Sequence, residues 1–99
     1  MKTPLTTAQR SLICLIVYTA IDVSLKGTYK AVADYRGDLH TVFVNTCHAD
    51  ERFFTNGSQH LVAFLARYAD ESEAEHTDRV NSELAAVYYH LKSLLPESQ

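Results

Sequence analysis

The side chains most apt for chemistry cluster in the middle of the chain: His40, Cys47, His48 and His60. Together they would make a ligand set for zinc. A structural zinc site takes four convergent ligands, usually in chelating pairs two to four residues apart. Cys47 and His48 are adjacent instead, and neighbours on a strand point to opposite faces. The same objection meets a Cys47 thiolate with His48 as its base. His76 and His90 fall about four turns apart on one predicted helix, too far to share an ion, and are expected in solvent. Neither a metal nor a cofactor is expected.

Other catalytic arrangements are equally thin. No Ser or Thr sits in a nucleophile elbow, and Gly27, Gly37 and Gly57 are too scattered to form a phosphate-cradling loop. Arg36-Gly37-Asp38 spells an adhesion tripeptide, but turn chemistry accounts for it. The chain is therefore not expected to be an enzyme.

Charge points elsewhere. The net charge of -3 divides unevenly, with +2 over residues 1–47 and -5 over residues 48–99. No basic stripe is present to track a phosphate backbone, so direct nucleic-acid binding is not expected. Asp70, Glu71, Glu73, Glu75 and Asp78 form the densest run of charge. Part of it belongs in the first turn of a helix, where acids complement the macrodipole. The remainder would suit a protein partner with a basic surface.

These residues need elements to hold them. Thr6-Thr7-Ala8-Gln9 has capping-box spacing and opens a first helix, closed at Lys26-Gly27. Its run from Leu12 to Ile21 is apolar around most of the circumference, so more than one neighbour should cover it. Ten apolar residues fall short of the roughly twenty that span a bilayer. No membrane association is expected, and a cytoplasmic location is. Cys14 reads as a small hydrophobe within this run.

Thr28–Thr46 reads as two strands turning at Arg36-Gly37. That register puts Tyr29, Ala31, Ala33, Val42 and Val44 on one face, and Lys30, Val32, Asp34, Leu39, Thr41 and Phe43 on the other. Residues 47–56 connect onward, with Phe53 and Phe54 tucked onto the core. Leu61, Phe64, Leu65 and Tyr68 have the spacing of a second helix, ending near Asp70-Glu71. Ser72-Glu73-Ala74-Glu75 caps a third helix, running to about Leu95 with the stripe Thr77, Val80, Leu84, Val87, Leu91 and Leu94. A stripe of smaller side chains, Ser82, Ala85, Ala86, Tyr89 and Ser93, should pack on another helix or form a dimer seam.

The expected architecture is α+β: one small domain over residues 1–99, ordered α-β-β-α-α, a two-stranded antiparallel hairpin packed on three helices. Within it, Val32, Leu39 and Phe43, rimmed by Lys30 and Asp34, form an apolar patch suited to a protein partner. In size, acidic balance and layout the chain resembles small accessory proteins of bacteriophages and prophages. Some of these inhibit host-defence systems such as CRISPR complexes or nucleases. That resemblance implies a stoichiometric, non-enzymatic binder that blocks a larger host assembly. The competing expectations are a small metal-dependent or nucleolytic enzyme, and a purely structural homodimer.

Overall fold

A computed structural model describes residues 4–96; Lys2, counted in the basic first half, lies outside that range. The first helix, α1, covers Thr7–Lys26. Its capping box is complete: the Thr6 hydroxyl accepts the Gln9 N–H, and the Gln9 side chain accepts the Thr6 N–H, each at 3.0 Å. Gly27 closes it at φ 87°, a left-handed conformation that glycine adopts without a side-chain clash.

Strands β1, Tyr29–Arg36, and β2, Thr41–His48, pair antiparallel with Arg36 opposite Thr41. The connection is thus four residues, 37–40, and not the two-residue Arg36-Gly37 turn expected. Bonds within the turn favour the longer loop. Arg36 pairs with Asp38 at 3.0 Å, and the Thr41 hydroxyl donates to the Leu39 carbonyl. His40 ends the turn at φ 48°, buried, with its ring against the Tyr35 hydroxyl at 2.8 Å and its carbonyl accepting Leu65 N–H. An even slip of register preserves which residues share a face, so the expected strand faces survive. Leu39 alone leaves its face, because it lies in the turn.

The segment expected as a second helix is instead a strand, β3, Gln59–Phe64, antiparallel to β2. The fold therefore has a three-stranded sheet, ordered β1-β2-β3, and two helices, correcting the hairpin-on-three-helices arrangement. Leu61, Ala63 and Leu65 alternate with His60, Val62 and Phe64, and the period of two decides the structure. Ala63 and Leu65 are fully buried on the inner side.

The last helix, α2, covers Glu73–Ser93 behind the Ser72–Glu75 capping box. Its buried stripe is His76, Val80, Leu84, Val87 and Leu91. Both helices lie on one face of the sheet, and the core joins Ile16, Ala20 and Val23 of α1 to Val42, Val44, Ala63 and the α2 stripe. The histidines of α2 are not in solvent. His76 is buried with Nε2 2.7 Å from the Leu65 carbonyl, and half-buried His90 meets the Thr46 hydroxyl at 2.8 Å. Tyr89, in the smaller-residue stripe, is exposed, and so are Ser82, Ala86 and Ser93; Ala85 alone is half-buried.

Candidate functional site

With both helices on one face, the other face of the sheet stays open. Cross-strand pairing sets its rows: Val32, Asn45 and His60 in one, Asp34, Phe43 and Val62 in the next. Val32 and Val62 are exposed and Phe43 is half-buried. His60 stacks on Phe43 with ring centroids 6.0 Å apart, and its Nδ1 sits 2.6 Å from the Asn45 side-chain oxygen.

The loop between β2 and β3 folds over one end of this face. Phe53 lies half-buried beneath Lys30, whose Nζ is 5.1 Å from the ring centroid. Phe54 does not tuck onto the core as expected. It is 77% exposed, its backbone is left-handed at φ 65°, and its ring lies 6.2 Å from His60. Bulky residues rarely hold positive φ, and such strain concentrates at functional positions. Phe54, His60 and Phe43 form an aromatic row bordered by Val32 and Val62 and rimmed by Lys30, Asp34 and Asn45.

The structure places Lys30, Val32, Asp34 and Phe43 on one face of the sheet, and Leu39 in the turn. The same face also carries Val62 and His60, with Phe54 beside them, which the sequence reading did not place there. The alternation from residue 59 to 65 signalled the first two, and the paired phenylalanines in a polar loop signalled the third.

Comparison with protein families, curated proteins and solved structures returned no match. The site must be read from its own chemistry.

The acidic run divides in two. Glu71 is committed to Arg79, whose guanidinium holds its carboxyl below the ordinary carboxylate range. Glu75 is committed to the α2 cap, where bonds from Ser72 do the same. Asp70, Glu73 and Asp78 remain exposed. Glu75 is exposed as well, but one of its carboxylate oxygens is held by the cap.

The suspected ligand set is dispersed among separate contacts. His40 meets Tyr35, the Cys47 thiol points to the Glu51 carbonyl, His48 stacks on Tyr29, and His60 meets Asn45. Among the described residues no three His, Cys, Asp or Glu side chains gather where an ion could sit. A groove of about 640 Å³ opens between the start of α1 and the 37–40 turn, lined by Leu5, Arg10, Ile13, Cys14, Tyr35 and His40. Its imidazole is already engaged by Tyr35, and its thiol is exposed at Cys14, not embedded as expected.

Among the described residues one helix, α1, is long and apolar enough to cross a membrane by length and composition, a property shared by core helices and signal sequences. Here Ile16, Ala20 and Val23 are embedded in the core, and Gln9 Nε2 donates to the Asn81 side-chain oxygen of α2 at 3.2 Å.

Proposed function

We propose that the chain is a non-enzymatic protein-binding module that docks through the outer face of its sheet. The observation that carries this reading is Phe54, an exposed aromatic on a left-handed backbone, continuous with the Phe43–His60 stack. Aromatic anchors surrounded by polar groups dominate the energetics of protein interfaces. Asp70, Glu73 and Asp78 add exposed negative charge, which favours a basic partner surface and speeds encounter with it. The resemblance in size and acidic balance to phage accessory proteins supports a more specific form. In that form the partner is a host-defence or nucleic-acid-processing assembly in the cytoplasm, blocked by occupancy without turnover.

The test is capture of partners from a bacterial lysate by wild type and by Phe54→Ala, with thermal melting of both. A partner retained by wild type and lost by an equally stable Phe54→Ala supports the reading. Capture unaffected by Phe54→Ala and Val62→Asp removes the outer face as the docking surface. Catalytic turnover of nucleic acid, abolished by His48→Ala or His60→Ala, would establish the enzyme alternative instead.

A further inference from the structure

The groove of about 640 Å³ between the start of α1 and the 37–40 turn has the size of a small-molecule site, for which roughly 300–1,000 Å³ is usual. It opens on the helix side of the sheet, because Tyr35 shares the inward parity of Ala31 and Ala33. The outer face plays no part in it. On α1, Arg10, Ile13 and Cys14 follow the i, i+3, i+4 spacing that puts side chains on one face, and all three line the groove. Leu5 extends the apolar wall.

The polar groups around it divide into a satisfied pair and one uncompensated charge. The Tyr35 hydroxyl and His40 Nδ1 lie 2.8 Å apart, so each answers the other. The buried His40 is anchored through its backbone as well, its carbonyl accepting the Leu65 N–H at 3.0 Å. That end of the groove therefore offers ring surface to a ligand and demands no hydrogen bond from it. Arg10 differs. It is exposed, and among the described residues it makes no ion pair. No acid among those residues lines the groove or stands in the first turn of α1, and Asp38 of the neighbouring turn is taken by Arg36. No second arginine and no lysine joins Arg10 in the lining, which suits a single negative charge. The planar guanidinium fork matches a carboxylate.

We propose that this groove binds a small organic anion, one carboxylate on a compact apolar body. The carboxylate pairs with Arg10, and the body lies against Leu5, Ile13 and the Tyr35 ring. Removing the body from water supplies affinity, while the arginine orients the ligand and selects for its charge. A dianionic phosphate would leave one of its charges without a counterpart. The groove and the outer face lie on opposite sides of the sheet, so the two readings stand or fall separately.

Cys14 reports on the site, since it is exposed in the groove while Cys47 is buried. Alkylation of Cys14 by iodoacetamide, an uncharged reagent, is followed by mass spectrometry in the presence of naphthoate, naphthalenemethanol or naphthyl phosphate. Naphthoate should slow the reaction several-fold and saturably, binding roughly tenfold more tightly than the neutral alcohol. Arg10→Gln should remove that preference and leave the weaker protection by the alcohol unchanged. As a change at an exposed side chain it should melt like wild type. If it melts early instead, the comparison of naphthoate with the alcohol on wild type decides. Phe54→Ala should be protected as wild type is. Absence of protection by naphthoate overturns the proposal, as does equal protection by the alcohol, or a preference for naphthoate that survives Arg10→Gln. Naphthyl phosphate binding more tightly than naphthoate overturns the carboxylate assignment in favour of a phosphate ester.

Discussion

Arg79 and Glu71 clamp the end of β3 to the start of α2. Nε and Nη2 of the arginine reach the two carboxylate oxygens at 2.6 and 3.2 Å. The remaining guanidinium donors go to the carbonyls of Phe64 and Ala66, both at 2.7 Å, and to Glu83 at 2.9 Å. Glu83 in turn accepts the Phe64 N–H at 2.8 Å, and the Tyr68 ring lies 4.1 Å beneath the guanidinium carbon. All five donors are used, in a fork that the arginine holds ready-made.

Arg79→Ala should cost about 3 kcal/mol in urea unfolding, because it strands two carboxylates and two backbone carbonyls. Arg79→Lys should recover little of that, since an ammonium cannot match the planar fork. The clamp also has a pH signature. The Arg79 bond lowers the folded-state pKa of Glu71 below its ordinary 4.5. Its contribution is then fully present above that value and is lost as pH falls below it. Wild type should lose more stability than Arg79→Ala on acidification through this window. An equal loss in both would mean that Glu71 gains nothing from the arginine.

Gly27→Ala should cost about 1 kcal/mol although nothing lies within 4 Å of the added carbon. The penalty is conformational, set by the left-handed backbone at φ 87°. Gly27→Asn should be milder, because asparagine tolerates that region better. Calorimetric melting distinguishes the two. Equal stability of all three proteins would show that the helix end relaxes to another cap.

Both helix starts were legible because a capping box is a local pattern, and Thr6–Gln9 and Ser72–Glu75 each form one. The faces of β1 and β2 were legible even though the turn length was not, since an even register slip leaves parity unchanged. β3 was misread because Leu61, Phe64, Leu65 and Tyr68 satisfy a helical spacing that also contains the inward alternation Leu61, Ala63, Leu65. Over six residues the two periods cannot be separated until a neighbouring strand supplies hydrogen bonds. The outer face was half visible for the same reason, lacking Val62 and His60. Phe54 was read as core from its type, and no local pattern states that its backbone turns it outward.

Glu73 and Glu75 are near neighbours with different duties. Glu75→Lys should lower the midpoint of urea unfolding, because it removes the side chain that accepts the Ser72 N–H at 2.9 Å. Glu73→Lys breaks no hydrogen bond among the described residues and should leave unfolding within roughly half a kcal/mol of wild type. With a basic partner in hand, Glu73→Lys should slow association and reduce its salt dependence, leaving dissociation nearly unchanged. Stopped-flow measurement at two ionic strengths reads both effects. Unchanged association would exclude the exposed part of the acidic run from steering.

The last expectation concerns His90, which couples the inner face of β2 to α2 through its 2.8 Å contact with the buried Thr46 hydroxyl. Burial disfavours the charged imidazolium and holds the folded-state pKa below the ordinary 6.5. As pH falls, the unfolded chain therefore takes up this proton before the folded chain does. The stabilising difference is fully present above pH 6.5, shrinks as pH drops below it, and levels off once the folded pKa is passed. Wild type should lose stability between about pH 7.5 and about pH 5.5. His90→Gln, which keeps a polar side chain near Thr46 but cannot titrate, should lose less over the same interval. Urea unfolding at the two pH values gives the comparison, and the difference between the proteins removes the contributions of the other four histidines. An imidazole proton resonance of His90 that titrates at or above the ordinary value would overturn this account of the contact.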